Sequence, residues 1–326
     1  MHRLISFLFL LLTAAAANAQ QFGTDWLTTP SPGDSSCLWF RRTFVTGKSA
    51  ERPVRASVSI ATASRFILYV NGRNVSAALY SNATTHNNTP SSTTFDVTRF
   101  LRPDSNTVAV LACPTAAPRQ GATPAQVLSP KISICFFGST CGKRPFAFSS
   151  ADGWLCHSSS TAVTAGGEIM DGRGDALSPA YGDMVMTQWR PVAIVCHPGH
   201  HASTATPFHD LSAESLFGYS PLWYNPLTDN SAYIRHTLLP RYFDTDGRTV
   251  SYDFSPGFYG LVRVTLRGCR RGERIRIGDR LNYICSGEID EQAICRFTPQ
   301  YARKIAISGD SRFHPEQVQE VAVLAF

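Results

Sequence analysis

Residues 66–72 read Phe-Ile-Leu-Tyr-Val-Asn-Gly, a short apolar run that ends at an Asn-Gly pair. Asn-Gly readily adopts the positive φ angles of a two-residue type I′ turn, so this stretch predicts a strand that enters a β-hairpin. Just before it, residues 54–60 read Val-Arg-Ala-Ser-Val-Ser-Ile. Their alternation of apolar and polar side chains is typical of a half-buried strand.

Similar short runs continue along the chain. Further strands are predicted at residues 107–112, 131–137, 192–196, 261–267, 274–278, 304–308 and 318–324. Helical periodicity is nearly absent, and Gly, Pro, Asn and Asp separate the runs. The chain has 326 residues, which is enough for two domains. The pattern therefore predicts an all-β fold of two β-sandwiches in tandem.

The first residues have the pattern of an export signal. Arg3 precedes an apolar run at 5–12, and Ala17-Asn18-Ala19 forms a cleavage site of the small-x-small kind. We therefore predict a cleavable signal peptide over residues 1–19 and a secreted or periplasmic protein. Nothing downstream is long and apolar enough to predict a membrane span.

A stretch rich in proline and histidine around residue 200 has weak strand character. It predicts a linker or wrapping segment at 198–240, between a first sandwich at 24–197 and a second at 241–326. The spacing of its histidines fits no metal-ligand pattern, so we interpret it as a solvated loop. The formal net charge is +6, but the basic residues are scattered rather than gathered in a patch. We therefore predict no nucleic-acid partner.

The chain has nine cysteines, and an oxidising compartment would allow disulfides. No Cys-x-x-Cys pair and no zinc-like spacing occurs. Cys135 and Cys141 flank residues 136–140, for which we predict a hairpin loop, so this pair is the candidate disulfide. The alternative is that most of the cysteines are small buried apolar residues.

Several segments resemble a known domain type when they are taken in order. Residues 39–44 read Trp-Phe-Arg-Arg-Thr-Phe, and Tyr-Val-Asn-Gly follows at 69–72. Phe-Asp-Val-Thr-Arg-Phe-Leu at 95–101 and Asn-Thr-Val-Ala-Val at 106–110 complete the series. This order resembles the galactose-binding-like jelly rolls that are attached to glycoside hydrolases, and it implies that fold for the sandwiches.

Later segments narrow the resemblance. Gly-Glu-Ile-Met-Asp-Gly-Arg at 167–173 precedes Trp-Arg-Pro-Val at 189–192. Val-Ser-Tyr-Asp-Phe at 250–254 and Phe-Thr-Pro at 297–299 follow. These segments are similar to the N-terminal β-sandwich domains of α-L-rhamnosidases, glycoside hydrolase family 78, over about residues 37–326. The chain departs from the family at 255–257, where Ser-Pro-Gly replaces Gly-Gln-Asn.

The resemblance also implies a ligand site. One module of the family, carbohydrate-binding module family 67, binds L-rhamnose beside a calcium ion. By position, the resemblance implies Glu168, Asp171, Arg173 and Trp189 as ligand-binding residues and Asp171 as a calcium ligand. Gly172 offers no side-chain ligand. The alternative is structural, with Trp189 in the core and Arg173 paired with Glu168 or Asp171.

Catalysis is not expected. The family hydrolyses rhamnosides in a helical (α/α)₆ barrel, and no stretch here is similar to the motif that carries its general acid. We find no convincing carboxylate pair and no Gly-x-Ser-x-Gly elbow. The sequence therefore predicts an exported, non-catalytic protein that binds rhamnose-containing or plant-type glycans or supports a partner glycosidase. The alternatives are a fragment of a split or truncated rhamnosidase and, third, a small hydrolase with an unrecognised site.

Overall fold

The computed structural model describes residues 25–31, 36–46, 53–62, 64–76, 78–82, 91–116, 127–140, 145–149, 153–164, 166–174, 178–180, 188–195 and 233–326. We call the described residues up to 195 the N-terminal part and residues 233–326 the C-terminal part. Both parts are built from strands, as predicted, and the described residues contain no α-helix. Short 3₁₀ turns occur at Thr98–Phe100, Ser178–Ala180 and Pro315–Gln317.

Sixteen strands belong to the N-terminal part and eight to the C-terminal part of the described chain. The first sixteen are β1 (Trp26–Thr28), β2 (Ser36–Val45), β3 (Pro53–Thr62), β4 (Arg65–Val70), β5 (Arg73–Asn74), β6 (Ser81–Asn82), β7 (Ser91–Asp96), β8 (Ser105–Ala112), β9 (Thr115–Ala116), β10 (Val127–Leu128), β11 (Ile132–Thr140), β12 (Pro145–Ser149), β13 (Leu155–Thr164), β14 (Gly167–Asp171), β15 (Arg190–Pro191) and β16 (Ala193–Val195). The others are β17 (His236–Leu238), β18 (Tyr242–Asp246), β19 (Thr249–Arg267), β20 (Arg274–Ile277), β21 (Leu281–Ile284), β22 (Asp290–Ile294), β23 (Gln300–Gly309) and β24 (Val318–Ala325).

Two large sheets contain most of these strands. The smaller has the order β16-β1-β11-β3-β7, with β12 beside β11. The larger has the order β17-β24-β19-β23-β20-β21-β14-β13-β2-β8-β4-β5 and so runs through both parts of the chain. The link is the parallel pairing of β14 with β21, in which Glu168 lies opposite Leu281 and Asp171 opposite Ile284.

Strands β2, β8 and β4 form a layer that is buried on both faces. In β4, Phe66, Leu68 and Val70 pack into a cluster with side chains of the smaller sheet. Ile67 and Tyr69, which point the other way, pack into a second cluster. A strand that is covered on both faces has apolar side chains at successive positions. This explains the continuous run of apolar residues in β4.

The second cluster joins the two parts of the chain. It contains Trp39 and Leu111 from the N-terminal part together with Phe254, Phe297 and Ile305 from the C-terminal part. Two tandem sandwiches would each have a core of their own, whereas the described residues share a cluster and a sheet between the two parts. The tandem jelly-roll arrangement and its boundaries remain predictions, and most of the predicted linker lies outside the described residues.

The turn chemistry follows the sequence closely. Asn71 has φ 51° and Gly72 has φ 78°, as the predicted hairpin requires. Tyr69 then pairs with Asn74 across the turn. At the neighbouring corner, the Asp96 carboxylate accepts from the Thr98 amide at 2.9 Å, and the Thr98 hydroxyl oxygen accepts from the Ala56 amide at 2.9 Å.

The predicted loop at 136–140 is wrong. These residues continue β11 and pair with β3, with Phe136 opposite Val58. Cys135 carries a free thiol in this strand, and its proposed partner Cys141 lies outside the described residues. The signal-peptide residues lie outside them as well. Within the described ranges, no helix has the length and apolarity to cross a membrane.

Candidate functional site

Glu168 lies in β14 with its carboxylate directed into the protein. The residue is fully buried. Its Oε1 accepts hydrogen bonds from the backbone amides of Phe297 at 2.6 Å and Thr298 at 2.7 Å. Its Oε2 accepts another from the Arg296 amide at 2.9 Å. The assignment of Glu168 as a ligand-binding residue is therefore corrected, because the carboxylate holds the 295–298 turn of the C-terminal part.

Two side chains of the same turn complete the shell around this carboxylate. The Thr298 hydroxyl donates to Oε1 at 2.9 Å, and the Cys295 thiol lies 3.1 Å from the same oxygen. Burial, reinforced by the Glu168 charge, raises the pKa of Cys295 well above its ordinary value. Hydrogen bonds to an ionised carboxylate are stronger than neutral ones, so Glu168 is a major tie between the two parts.

Asp171, at the end of β14, forms an ion pair with Arg173. Arg173 donates to Asp171 from its backbone amide at 3.0 Å and from Nε at 2.9 Å, both to Oδ1. Its Nη2 donates to Oδ2 at 2.7 Å. These bonds to Arg173 hold the pKa of Asp171 below its ordinary value. The side chains are 31% and 43% exposed, so the pair stays accessible to a ligand.

Gly172, between the two charged residues, is pressed against β21. Its amide donates to the Ile284 carbonyl at 2.8 Å. A Cβ at this position would come within 2.2 Å of the Tyr283 hydroxyl oxygen. Only glycine therefore fits here. The close contact between Gly172 and β21 holds the Asp171–Arg173 turn against the C-terminal part.

Trp189 is mostly buried, at 8% exposed. Its ring makes an edge contact with His157, with 5.5 Å between centroids, and the Arg41 guanidinium lies 5.9 Å from its centroid. Its indole Nε1 is buried and has no hydrogen-bond partner among the described residues. The packed position agrees with the structural alternative, in which Trp189 belongs to the core. The indole N–H is unlike a core group, however, because buried donors are normally hydrogen-bonded.

Asp171 and Trp189 approach the same edge of β13 from its two ends. Strand β14 pairs with residues 161–164 of β13, and β15 pairs with Leu155 and Cys156. Residues 157–160 are left between them, a span of about 13 Å at the usual strand rise. Ser160 Oγ and Thr161 Oγ1 are buried here, and the described residues offer them no hydrogen-bond partner. We call residues 157–161, Asp171, Arg173 and Trp189 the β13 edge site.

The surroundings of Asp171 do not fit a calcium ion. Both oxygens of its carboxylate accept from the guanidinium of Arg173, and Gly172 adds no side-chain ligand. Among the residues that the structure describes, no group of three or more His, Cys, Asp or Glu side chains could hold a metal. Calcium prefers several oxygen ligands around one point, and the described side chains do not supply them.

Two further carboxylates, those of Asp253 and Asp290, are held by hydrogen bonds and an ion pair. Asp253 accepts from the Ser255 amide at 2.8 Å and from the Tyr242 hydroxyl at 2.9 Å. Asp290 pairs with Arg267 at 2.6 Å. These interactions lower the pKa values of Asp253 and Asp290, as Arg173 does for Asp171. A general acid for glycoside hydrolysis needs a raised pKa, so these groups are poorly suited to that role.

Two aromatic surfaces of the C-terminal part were not predicted from the sequence. Tyr301 is 83% exposed and stacks on Tyr259, with 4.5 Å between ring centroids. A groove of about 650 Å³ is lined by Phe243 and Tyr252 and by polar residues that include Gln319. Strand alternation does not show whether an aromatic side chain is buried or exposed. The sequence therefore did not indicate either surface.

The class of fold is all-β and similar to the β-sandwich region of α-L-rhamnosidases. This confirms, as a likeness of fold, the resemblance predicted from sequence. Comparisons with protein-family models and with curated proteins give no match.

Three solved structures define the similarity. The α-L-rhamnosidase from Dictyoglumus thermophilum has a TM-score of 0.69 at 18% identity, over 93% of this chain and 35% of that one. The Streptomyces avermitilis enzyme, complexed with L-rhamnose, gives 0.67 at 16%, over 89% and 28%. The Aspergillus terreus enzyme gives 0.66 at 12%, over 93% and 36%. The chain thus spans about a third of the length of these relatives.

Proposed function

We propose that this protein is an exported, non-catalytic carbohydrate-binding or accessory protein that recognises rhamnose-containing or other plant-type glycans. The observation that carries the proposal is the match of nearly the whole chain to about a third of each α-L-rhamnosidase. The described residues contain no α-helix, and the carboxylates with lowered pKa values are unsuited to acid catalysis. Binding therefore fits the chain better than hydrolysis.

The β13 edge site is the proposed place of binding. The half-buried carboxylate of Asp171 and the exposed guanidinium of Arg173 are groups that hold sugar hydroxyls. The unpartnered atoms Ser160 Oγ, Thr161 Oγ1 and Trp189 Nε1 lie along the same stretch. Buried polar atoms without partners are costly, so a water molecule or a ligand hydroxyl is expected beside them. Glu168 would stabilise the protein next to this site and would not contact the ligand.

A glycan array with the purified chain tests the binding proposal. We expect signal on glycans that carry terminal L-rhamnose or related plant sugars, and loss of that signal when free L-rhamnose competes. An array without signal above a matched unrelated protein would reject the proposal. Export is tested separately by N-terminal sequencing of the mature protein, which should begin at Gln20.

A second candidate is an accessory role beside a separate catalytic polypeptide. The likeness of fold to part of each α-L-rhamnosidase supports it. If the two act together, adding this chain to a glycosidase encoded by a neighbouring gene should raise the rhamnosidase activity of that glycosidase. An unchanged rate, together with elution as separate species in size-exclusion chromatography, would reject this role and leave the binding proposal intact.

A further inference from the structure

Two cysteines of the doubly buried layer face each other across neighbouring strands. In the antiparallel pair β2–β8, Leu38 lies opposite Ala112 and Trp39 opposite Leu111. The same register, continued by one residue beyond the Leu38–Ala112 pair, places Cys37 opposite Cys113. Both side chains belong to the cluster that the two parts of the chain share, and both thiols are free in the structure.

The backbone shows which kind of cross-strand pair this is. The Cys113 amide donates to the Arg65 carbonyl at 2.9 Å, so Cys113 directs its backbone groups toward β4 and away from β2. Relative to β2 it therefore occupies a non-hydrogen-bonded position. In such pairs the Cα atoms are only about 4.5 Å apart and the side chains lie close together.

An equivalent pair on the same two strands confirms how close the side chains come. Thr107 is six residues before Cys113, and it too directs its backbone toward β4, where it bonds to Asn71. It lies opposite Thr43, and the two hydroxyl oxygens are 3.2 Å apart. A disulfide needs Cα atoms about 4.4–6.8 Å apart, which this class of pair satisfies.

We propose that Cys37 and Cys113 form a cross-strand disulfide when the chain folds in an oxidising environment. Two thiols lose two protons and two electrons, and a disulfide oxidant such as oxidised glutathione is reduced to two thiols. The bond closes the loop between β2 and β8 and holds the layer that lies against Glu168. It uses neither Cys135 nor Cys141, and that pair stays a prediction because Cys141 lies outside the described residues.

The bond has to form before the layer is covered. Cys37 is fully buried and Cys113 is 4% exposed. Burial raises the pKa of Cys113 to about 12 and that of Cys37 well above its ordinary value. Since the thiolate is the attacking species, a folded and reduced protein should react slowly, whereas a folding chain exposes both groups.

The test maps the cysteines of the full chain after oxidative folding. The chain is unfolded, reduced and refolded with reduced and oxidised glutathione, and free thiols are then alkylated in denaturant. Peptide mass spectrometry should show Cys37 linked to Cys113, with the loss of two hydrogens. Free Cys37 and Cys113 in correctly refolded protein, or a link of either to another cysteine, would overturn the proposal.

Two substitutions serve as controls. Cys37→Ser should leave Cys113 fully alkylated, whereas Cys156→Ser, at a buried cysteine in β13, should leave the Cys37–Cys113 link intact. Cys269 and Cys285, two other buried cysteines with free thiols, are mapped in the same digest. Should Cys37→Ser fail to fold, the wild-type map alone still decides the question.

Discussion

The Glu168 carboxylate accepts a hydrogen bond from the Phe297 amide at 2.6 Å, across 129 positions of sequence. The donor belongs to the C-terminal part and the acceptor to the N-terminal part. Three further donors, the Arg296 and Thr298 amides and the Thr298 hydroxyl, converge on the same group. A buried charge is tolerated only when it is hydrogen-bonded in this way, so each part of the chain completes the other.

Glu168→Gln should strongly destabilise the protein. The amide keeps the size of the side chain but loses the charge, and it presents a donor to backbone amides that themselves donate. We expect a loss of about 3–5 kcal/mol in the free energy of unfolding, as for a broken buried charged network. Urea unfolding measures it, with the exposed Glu288→Gln as the control. A loss below about 1 kcal/mol would show that Glu168 is not a major tie.

Gly172→Ala should destabilise the contact between the Asp171 turn and β21. The added Cβ would lie 2.2 Å from the Tyr283 hydroxyl oxygen and 2.9 Å from the Ile284 carbonyl oxygen. Overpacking of this kind costs about 1–3 kcal/mol. Gly166→Ala is the matched control, because its nearest neighbour would be 3.8 Å away. Equal thermal midpoints for the two variants would contradict the close packing at Gly172.

Asp253 should contribute to acid sensitivity. Its carboxylate is 1% exposed and lies 3.4 Å from Arg303 Nε. Hydrogen bonds from Ser255, then from Tyr242, and the charge of Arg303 hold its pKa well below the ordinary value. A depressed folded-state pKa adds stability that is present above the unfolded value of about 3.9 and is lost as the pH falls toward the folded value.

Asp253→Asn should therefore flatten the dependence of unfolding free energy on pH below about pH 4. Urea titrations at a series of pH values measure this slope, and Asp244→Asn, at an exposed position of β18, is the control. If the slope of Asp253→Asn equals that of the wild type, the carboxylate is not ionised and bonded as described.

The purified chain should not release nitrophenol from a nitrophenyl α-L-rhamnoside above the buffer blank. The reason is that Asp171, Asp253 and Asp290 all have lowered pKa values, the opposite of what a general acid requires. Turnover above the blank that disappears on substitution of a single carboxylate would show instead that the chain is a hydrolase.

The sequence predicted what local chemistry determines. Phe66–Val70 with Asn71-Gly72 predicted a strand and its turn, because a continuous apolar run and positive φ angles are local properties. The pairing of Arg173 with Asp171 was foreseen as an alternative for the same reason, since the residues are two positions apart.

The sequence could not predict what distant contacts determine. The resemblance implied a ligand role for Glu168 by position alone. Its partners are the backbone amides of 296–298, and no side-chain pattern in the sequence indicates them. The hydrophobic cluster shared by the two parts was not predicted. Strand alternation indicates that one face of a strand is buried, but it does not indicate which residues cover that face. The same limit applied to Cys37 and Cys113, whose opposition depends on the register of β2 and β8.

The central claim is that the β13 edge site binds sugar, and titration calorimetry with L-rhamnose tests it most directly. We predict measurable binding to the wild type and a loss of about fivefold or more in Asp171→Ala and Trp189→Ala, equivalent to about 1 kcal/mol. Ser160→Ala should also weaken binding without affecting the fold, because its hydroxyl has no partner in the part of the chain that the structure describes. Asp279→Ala, at an exposed ion pair with Arg276, is the matched control and should bind as the wild type does. Binding that all three site variants retain while folded would contradict the claim and direct attention to the aromatic surfaces of the C-terminal part.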